Sequence, residues 1–381
     1  MQTNISALEE LKQLLQSSHK TPVRKVFVGF DGFVDKIKKA VKEKHNYQTL
    51  YFSSIREFAD RLLMASGRSG QVQMDIQQVK LGGNAPILSN TLGKLVVPCY
   101  CVGSMGYPQK HEVFSGMNPL CEPISVLNPG LSDAIEFGDG KLIFSELEVF
   151  DHYNWLHIKQ VAGVEKIANA VSECSLIAFV DWANLPYASD IWKGMLEDVI
   201  KPSERRDFLF LFDLCDPSKK TLQQIDEVLD MISSFSPYGK VTLGLNENET
   251  LKLWAALSGH DFIKDKVNIP PVLEAGDFLY RSLNIDSLLV HPIDRSIVYR
   301  QRDTIELQGR LVTKPKVLTG GGDNLNAGYC LGLILGFTLQ QCMLLGMAAS
   351  GAYIENGASP NRQDIIEYLQ IWMRDLEKKQ S

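Results

Sequence analysis

Late in a chain of 381 residues, Thr319 is followed by Gly320-Gly321-Gly322-Asp323, and a long apolar stretch begins at once. Glycines have no Cβ, so they adopt turns closed to other residues and let a ligand approach the main chain. A helix starting there aims its unpaired N–H groups into the turn, which suits a phosphate. An acid beside such a cradle would repel the ligand if binding were its only task. As a base that takes the proton of an attacking hydroxyl, Asp323 has a reason to stand there. A plain strand-to-helix turn with Asp323 as N-cap fits the same residues.

Further polar clusters follow apolar runs. Asn246 and Glu249 are three apart and would share one face of a first helical turn. Such oxygen donors suit a water-coordinated Mg²⁺, and they equally make a capping box that needs no ligand. Gly82 and Gly83 would admit a ligand close to the backbone, with Asn84 to hydrogen-bond it. Asp31 and Asp35 end an apolar run at 25–30, where a parallel strand delivers ligand contacts. They could accept hydrogen bonds from substrate hydroxyls; a turn with Asp35 facing solvent is the alternative. His291, before Pro292 in a loop, reads as structural.

These clusters need one sheet edge to bring them together. Apolar runs at 25–30, 98–103, 176–181, 208–213, 240–245, 287–290 and 296–300 read as strands. Helical patterns cover 4–18, 53–65, 87–95, 159–172, 189–200, 219–234, 247–257, 323–336 and 338–355, with a charged helix closing the chain. This alternation predicts a mostly parallel sheet with helices on both faces. Residues 134–137 and 141–144 around Gly138-Asp139-Gly140 predict a β-hairpin. With the segment near 34–52 it would form a small lid sheet. The expected organisation is therefore a single α/β domain over 1–381, with lid segments at about 34–52 and 131–150. A strand near 75–80 leads into the Gly82-Gly83 junction.

Composition narrows the function classes. Apolar residues make up 45% and charged residues 22%, values ordinary for a globular protein. A net charge of −6 gives no footprint for nucleic acid or an anionic membrane. No basic n-region with an apolar core opens the chain, and the longest apolar run, 329–337, is too short to span a bilayer. Seven scattered cysteines, without a C-x-x-C pair, point to free thiols in a reducing cytoplasm.

In their order, Gly82-Gly83-Asn84-Ala85, Asn246-x-x-Glu249 and Gly320-Gly321-Gly322-Asp323 resemble the motifs of the PfkB family, the ribokinase-like sugar and nucleoside kinases. The resemblance runs from about Lys25 to Pro360. The family's D-T-x-G-A-G-D stands here as Val317-Leu318-Thr319-Gly320-Gly321-Gly322-Asp323, with Val317, Leu318 and Gly321 as departures, and Asn326-Ala327-Gly328 fits its continuation. N-x-x-E is matched in full, while Pro86 and Ile87 replace the usual small residue and Asn after the upstream glycines. A further departure is the 290–295 loop, which lacks the glycine often found near adenine and ribose.

The resemblance implies a ribokinase-like three-layer α/β/α domain with a small β-sheet lid. It implies Asp323 as catalytic base and Gly320, Gly321 and Gly322 as anion hole. Asn246 and Glu249 would organise Mg²⁺ and the nucleotide phosphates, Glu249 through water, with Asp213 nearby. Gly82, Gly83 and Asn84 would line the sugar side, and Asp35 with Asp31 would hold hydroxyls. Asn184 and Trp182, after the strand at 176–181, would reach the substrate. The expected reaction transfers the γ-phosphoryl of ATP to a hydroxyl of a sugar or related polyol, and pairing of two copies through the lid is plausible. A nucleoside kinase and a catalytically weak binding homologue are the alternatives within the fold. A nicotinamide oxidoreductase is disfavoured, because the first βα turn lacks G-x-G-x-x-G.

Overall fold

The computed structural model describes residues 4–18, 24–46, 48–260, 269–301, 303–317 and 319–380. Leu318, within the glycine-turn motif, lies outside the described residues. The strands in chain order are β1 (Lys25–Gly29), β2 (Phe33–His45), β3 (Gln48–Tyr51), β4 (Met74–Gly82), β5 (Cys99–Gly103), β6 (Cys121–Ser125) and β7 (Gly130–Phe137). They continue as β8 (Gly140–Glu146), β9 (Cys174–Phe179), β10 (Phe208–Asp213), β11 (Gly239–Leu245), β12 (Ser287–Val290), β13 (Arg295–Arg300) and β14 (Asp303–Gln308).

The larger sheet has the order β14-β13-β12-β11-β10-β9-β1-β5-β6 and is parallel from β12 to β6, with β13 and β14 antiparallel at one edge. Its inner strands are buried along almost their whole length, as expected when helices cover both faces. Strand alternation divides the side chains between two cores. Phe27, Ile177, Phe179, Phe210 and Phe212 enter one, where Phe179 stacks on Phe212 at 5.0 Å between ring centroids. Val26, Val28, Leu176, Ala178 and Leu211 enter the other, against the helices Gly321–Ile334 and Leu339–Asn356.

The second sheet runs β3-β2-β7-β8, with β4 on β2. Its hairpin has the expected turn, with Phe137 paired to Gly140 and Glu136 to Lys141. The Asp139 carboxylate accepts from the Ile55 amide at 2.8 Å, which ties the hairpin tip to the helix Ile55–Leu63. The strand read near 75–80 is longer than expected and belongs to this smaller sheet, with Asp35 opposite Lys80. It therefore carries the Gly82-Gly83 junction to the site from the lid side.

Other departures have local causes. The helix expected over 159–172 is two helices, Trp155–Ala162 and Val164–Ser172, separated by Gly163 at φ +82°. Strands β6 and β14 and the helix Val272–Ser282 were not anticipated. Among the described residues, no helix is long and apolar enough to cross a membrane.

Candidate active site

Gly320 sits at φ +87°, a left-handed conformation open to glycine, and caps the helix Gly321–Ile334. That helix begins two residues earlier than its apolar pattern suggests, so Gly321 and Gly322 are its first turn and Asp323 its third residue. The turn is clamped from several sides. Tyr353 Oη donates to the Thr319 carbonyl at 2.7 Å, and Asn324 Nδ2 donates to the Gly320 carbonyl at 2.7 Å. Thr91 Oγ1 donates in turn to Asn324 Oδ1 at 2.9 Å. The first amides of the helix remain outside its internal ladder.

Asp323 is only 7% exposed. Burial holds its carboxyl well above the usual range; Asp213, Asp181 and Asp35 push the same way, and the Asn84 side chain opposes them. The feature that looked awkward in the sequence is thus an acid with an enhanced appetite for a proton.

On the acceptor side the two N-terminal acids separate. Asp31 is wholly buried, and its carboxylate accepts from the amides of Asn84 and Ala85, both at 2.7 Å. It caps the helix Asn84–Lys94 from the turn between β1 and β2, so both of its carboxylate oxygens are already engaged. Gly83, at φ +90°, is needed there because a Cβ would sit 2.6 Å from Asp31 Oδ2. Asp35 is 8% exposed and faces Lys80 and Ser132 across its two ladders. A Cβ on Gly82 would collide with its carboxylate. Burial raises the Asp35 pKa, with Lys80 and Lys141 working against the rise. Asp35, Gly82, Asn84 and Asp323 therefore come together.

Asn184 is brought to the strand ends but its amide is engaged. It donates to Asp181 Oδ1 at 2.6 Å and accepts from Lys219 at 2.7 Å. Trp182, its neighbour, is buried in the core and donates to Ser189. Asp181 is the residue that sequence reasoning passed over. It is buried at φ +56°, beside Asp31, and its Oδ2 has no hydrogen-bond partner among the described residues. Its signal was the polar end of β9, where only its neighbours were singled out.

Asn246 and Glu249 form the capping box in full: each side chain accepts from the other residue's amide at 2.9 Å. The Glu249 carboxyl is pushed up to about 8 by burial and by the nearby Asp213. Asp213 accepts from Asn326 Nδ2 at 2.7 Å and from the Cys215 amide at 3.1 Å. Asn246 also lines a cavity of about 610 Å³, together with His291, Ile293, Val312, Gly322 and Met347. His291 thus borders the glycine turn, 3.7 Å from where a Gly322 Cβ would lie. Among the described residues, no three His, Cys, Asp or Glu side chains are grouped to hold a metal directly.

Comparison with known proteins gives a consistent picture. A family model for prokaryotic ketohexokinases matches residues 3–372. The chain is 23% identical to a ketohexokinase of Haloferax volcanii over 351 residues, covering 90% of this chain and 89% of the relative. In fold it is similar to Arabidopsis thaliana ribokinase solved with ribose and ATP, with TM-score 0.63, 13% identity and coverage of 91% and 99%. A ribokinase-fold protein from Escherichia coli solved with ATP and Mg²⁺ gives TM-score 0.61, 12% identity and coverage of 91% and 99%.

Proposed function

The chain belongs to the prokaryotic ketohexokinase family and is a sugar kinase, and from that premise we propose that it transfers the γ-phosphoryl group of ATP to a primary hydroxyl of a ketohexose. The observation that carries the site assignment is the placement of Asp323. It is a buried acid at the third position of a helix whose first turn is glycine, and it sits within the influence of Asp35.

In this reading Asp35 and Asn84 hold the sugar so that its hydroxyl points at Asp323. Asp323 accepts the proton as the oxygen attacks phosphorus. The amides at the start of the Gly321–Ile334 helix face the charge that develops on the phosphoryl oxygens. The nucleotide occupies the cavity beside the turn, whose walls include Pro292, Ile293, Val312, Met347 and Ile354.

Asp213 and Glu249 fit a hydrated Mg²⁺. They are buried acids that repel one another, a repulsion that a divalent cation relieves, and Mg²⁺ usually keeps several of its waters. When bound, the ion supplies charge neutralisation at the β- and γ-phosphates. Asn246 then has two tasks, capping its helix and bordering the nucleotide cavity.

Two further parts of the reading concern surroundings. The described cysteines are free and mostly buried, which fits a reducing cytoplasm. The lid strands leave Leu50, Ile76, Val79, Ile143 and Phe144 exposed, a surface suited to a second copy of the chain.

The deciding experiment is Asp323→Asn. General-base catalysis is worth roughly 10²–10⁴-fold, so turnover of a ketohexose should fall by about that factor. The rise in melting temperature given by ATP–Mg²⁺ should survive. A variant with near wild-type turnover overturns the assignment.

A further inference from the structure

Lys141 lies 178 residues before Thr319, yet its ammonium donates to the Thr319 hydroxyl, immediately ahead of the glycine turn. It stands second in β8 of the lid. Most lysines keep the ammonium in water, but this one is largely enclosed, and burial together with Lys80 lowers its pKa. Asp35, Glu136 and Asp323 favour its charged form, but none is an ion-pair partner, and among the described residues no carboxylate lies within salt-bridge distance of it. An ammonium has three donors, and the Thr319 hydroxyl takes one. Lys80 on β4 adds a second positive charge beside the same spot.

A largely enclosed cation with carboxylates nearby but none paired to it, held beside Thr319 at the head of the glycine turn, has donors left for an anion. Resting on the phosphoryl-transfer reading, we infer that Lys141 is a further substrate-binding residue, donating to a non-bridging oxygen of the phosphoryl group in transit. The bond from the acceptor oxygen to phosphorus forms as the bond from phosphorus to the β–γ bridging oxygen breaks. The hydroxyl proton passes to Asp323, and the nucleoside diphosphate leaves with the electron pair of the broken bond. Lys141 faces the charge from the lid side, opposite the amides of the Gly321–Ile334 helix. Its hydrogen bond to Thr319 is the resting position from which it turns to the phosphoryl oxygen.

The test compares Lys141→Met and Lys141→Arg with the full-length wild type, using fructose, ATP and Mg²⁺. Removing one donor to developing charge costs about 10²–10³-fold in kcat. Lys141→Met should show that loss, with KM for ATP and for fructose within about threefold. Lys141→Arg keeps the charge and should recover part of the rate. A second readout is melting temperature with fructose, ADP, Mg²⁺ and aluminium fluoride, a mimic of the phosphoryl group in flight. The wild type should gain stability from the fluoride, and Lys141→Met should lose that increment while melting normally without ligands. A kcat within about threefold of wild type or an unchanged fluoride increment overturns the inference. So does a defect confined to the fructose KM, which assigns the lysine to the acceptor instead. If the wild type phosphorylates no sugar, it is the kinase reading that fails, and that is seen before any variant is made.

Discussion

Asp323 ionises in the company of Asp213, Asp181 and Asp35, inside a pocket that raises its pKa. Its basic form is lost as pH falls through that raised value, so the acid limb of kcat/KM should lie above the ordinary carboxylate range. Asp181→Asn removes one negative neighbour that has no part in the proposed Mg²⁺ site and should lower the Asp323 pKa. The acid limb should then move toward lower pH, whatever the variant does to the absolute rate. A pH–rate profile with the limb unmoved would show that another group is being titrated. The identity of Asp323 as a candidate base was legible in the sequence, since acid and glycines are neighbours in the chain. The division of labour between Asp31 and Asp35 was not. Both follow the same apolar run in the sequence, yet Asp35 falls inside β2, and the helix Asn84–Lys94, from a distant segment, claims Asp31 with two amides. Lys141 was illegible for the same reason, because its partner Thr319 is brought to it by tertiary structure alone.

At the scale of elements, the helix Glu247–Leu257 starts at a cap that the proposed function also gives a nucleotide-binding task. Its capping box joins Asn246 and Glu249, and the helix Leu339–Asn356 carries an equivalent box at Thr338 and Gln341. Losing such a cap costs about 1 kcal/mol. Asn246→Ala and Thr338→Ala should therefore lower stability to denaturant by similar amounts, while only Asn246→Ala raises the KM for ATP. Equal kinetic behaviour of the two variants would reduce Asn246 to a cap. The inner strands could be read from sequence because burial on both faces writes continuous apolar runs, as at β10 and β12. β4 was legible as a strand but not as a member of either sheet, because its largely exposed, polar pattern gives no hint of which one it joins. β14 is also largely exposed, and its character comes from pairing with β13, which no local pattern records.

The molecule as a whole is a large sheet serving the proposed catalytic turn and a smaller sheet that carries much of the proposed acceptor side. The smaller sheet's apolar surface includes Phe144, more than half exposed. If a second copy covers it, light scattering should give twice the mass of one chain, and Phe144→Glu should shift the species toward one chain at low protein concentration. A wild type of single mass at all concentrations removes the dimer. β4 runs into Gly82 and the helix Asn84–Lys94 without a linker, and Asp35 belongs to β2 of the same sheet. In the proposed reading the lid is therefore also one wall of the sugar pocket. Swinging it aside would carry away Asp35, Lys80 and Lys141 together, leaving a nucleotide facing Asp323 but no seat for an acceptor. In the proposed reading the seat of the acceptor and the two lysine charges are thus one rigid unit, and neither can be displaced without the other.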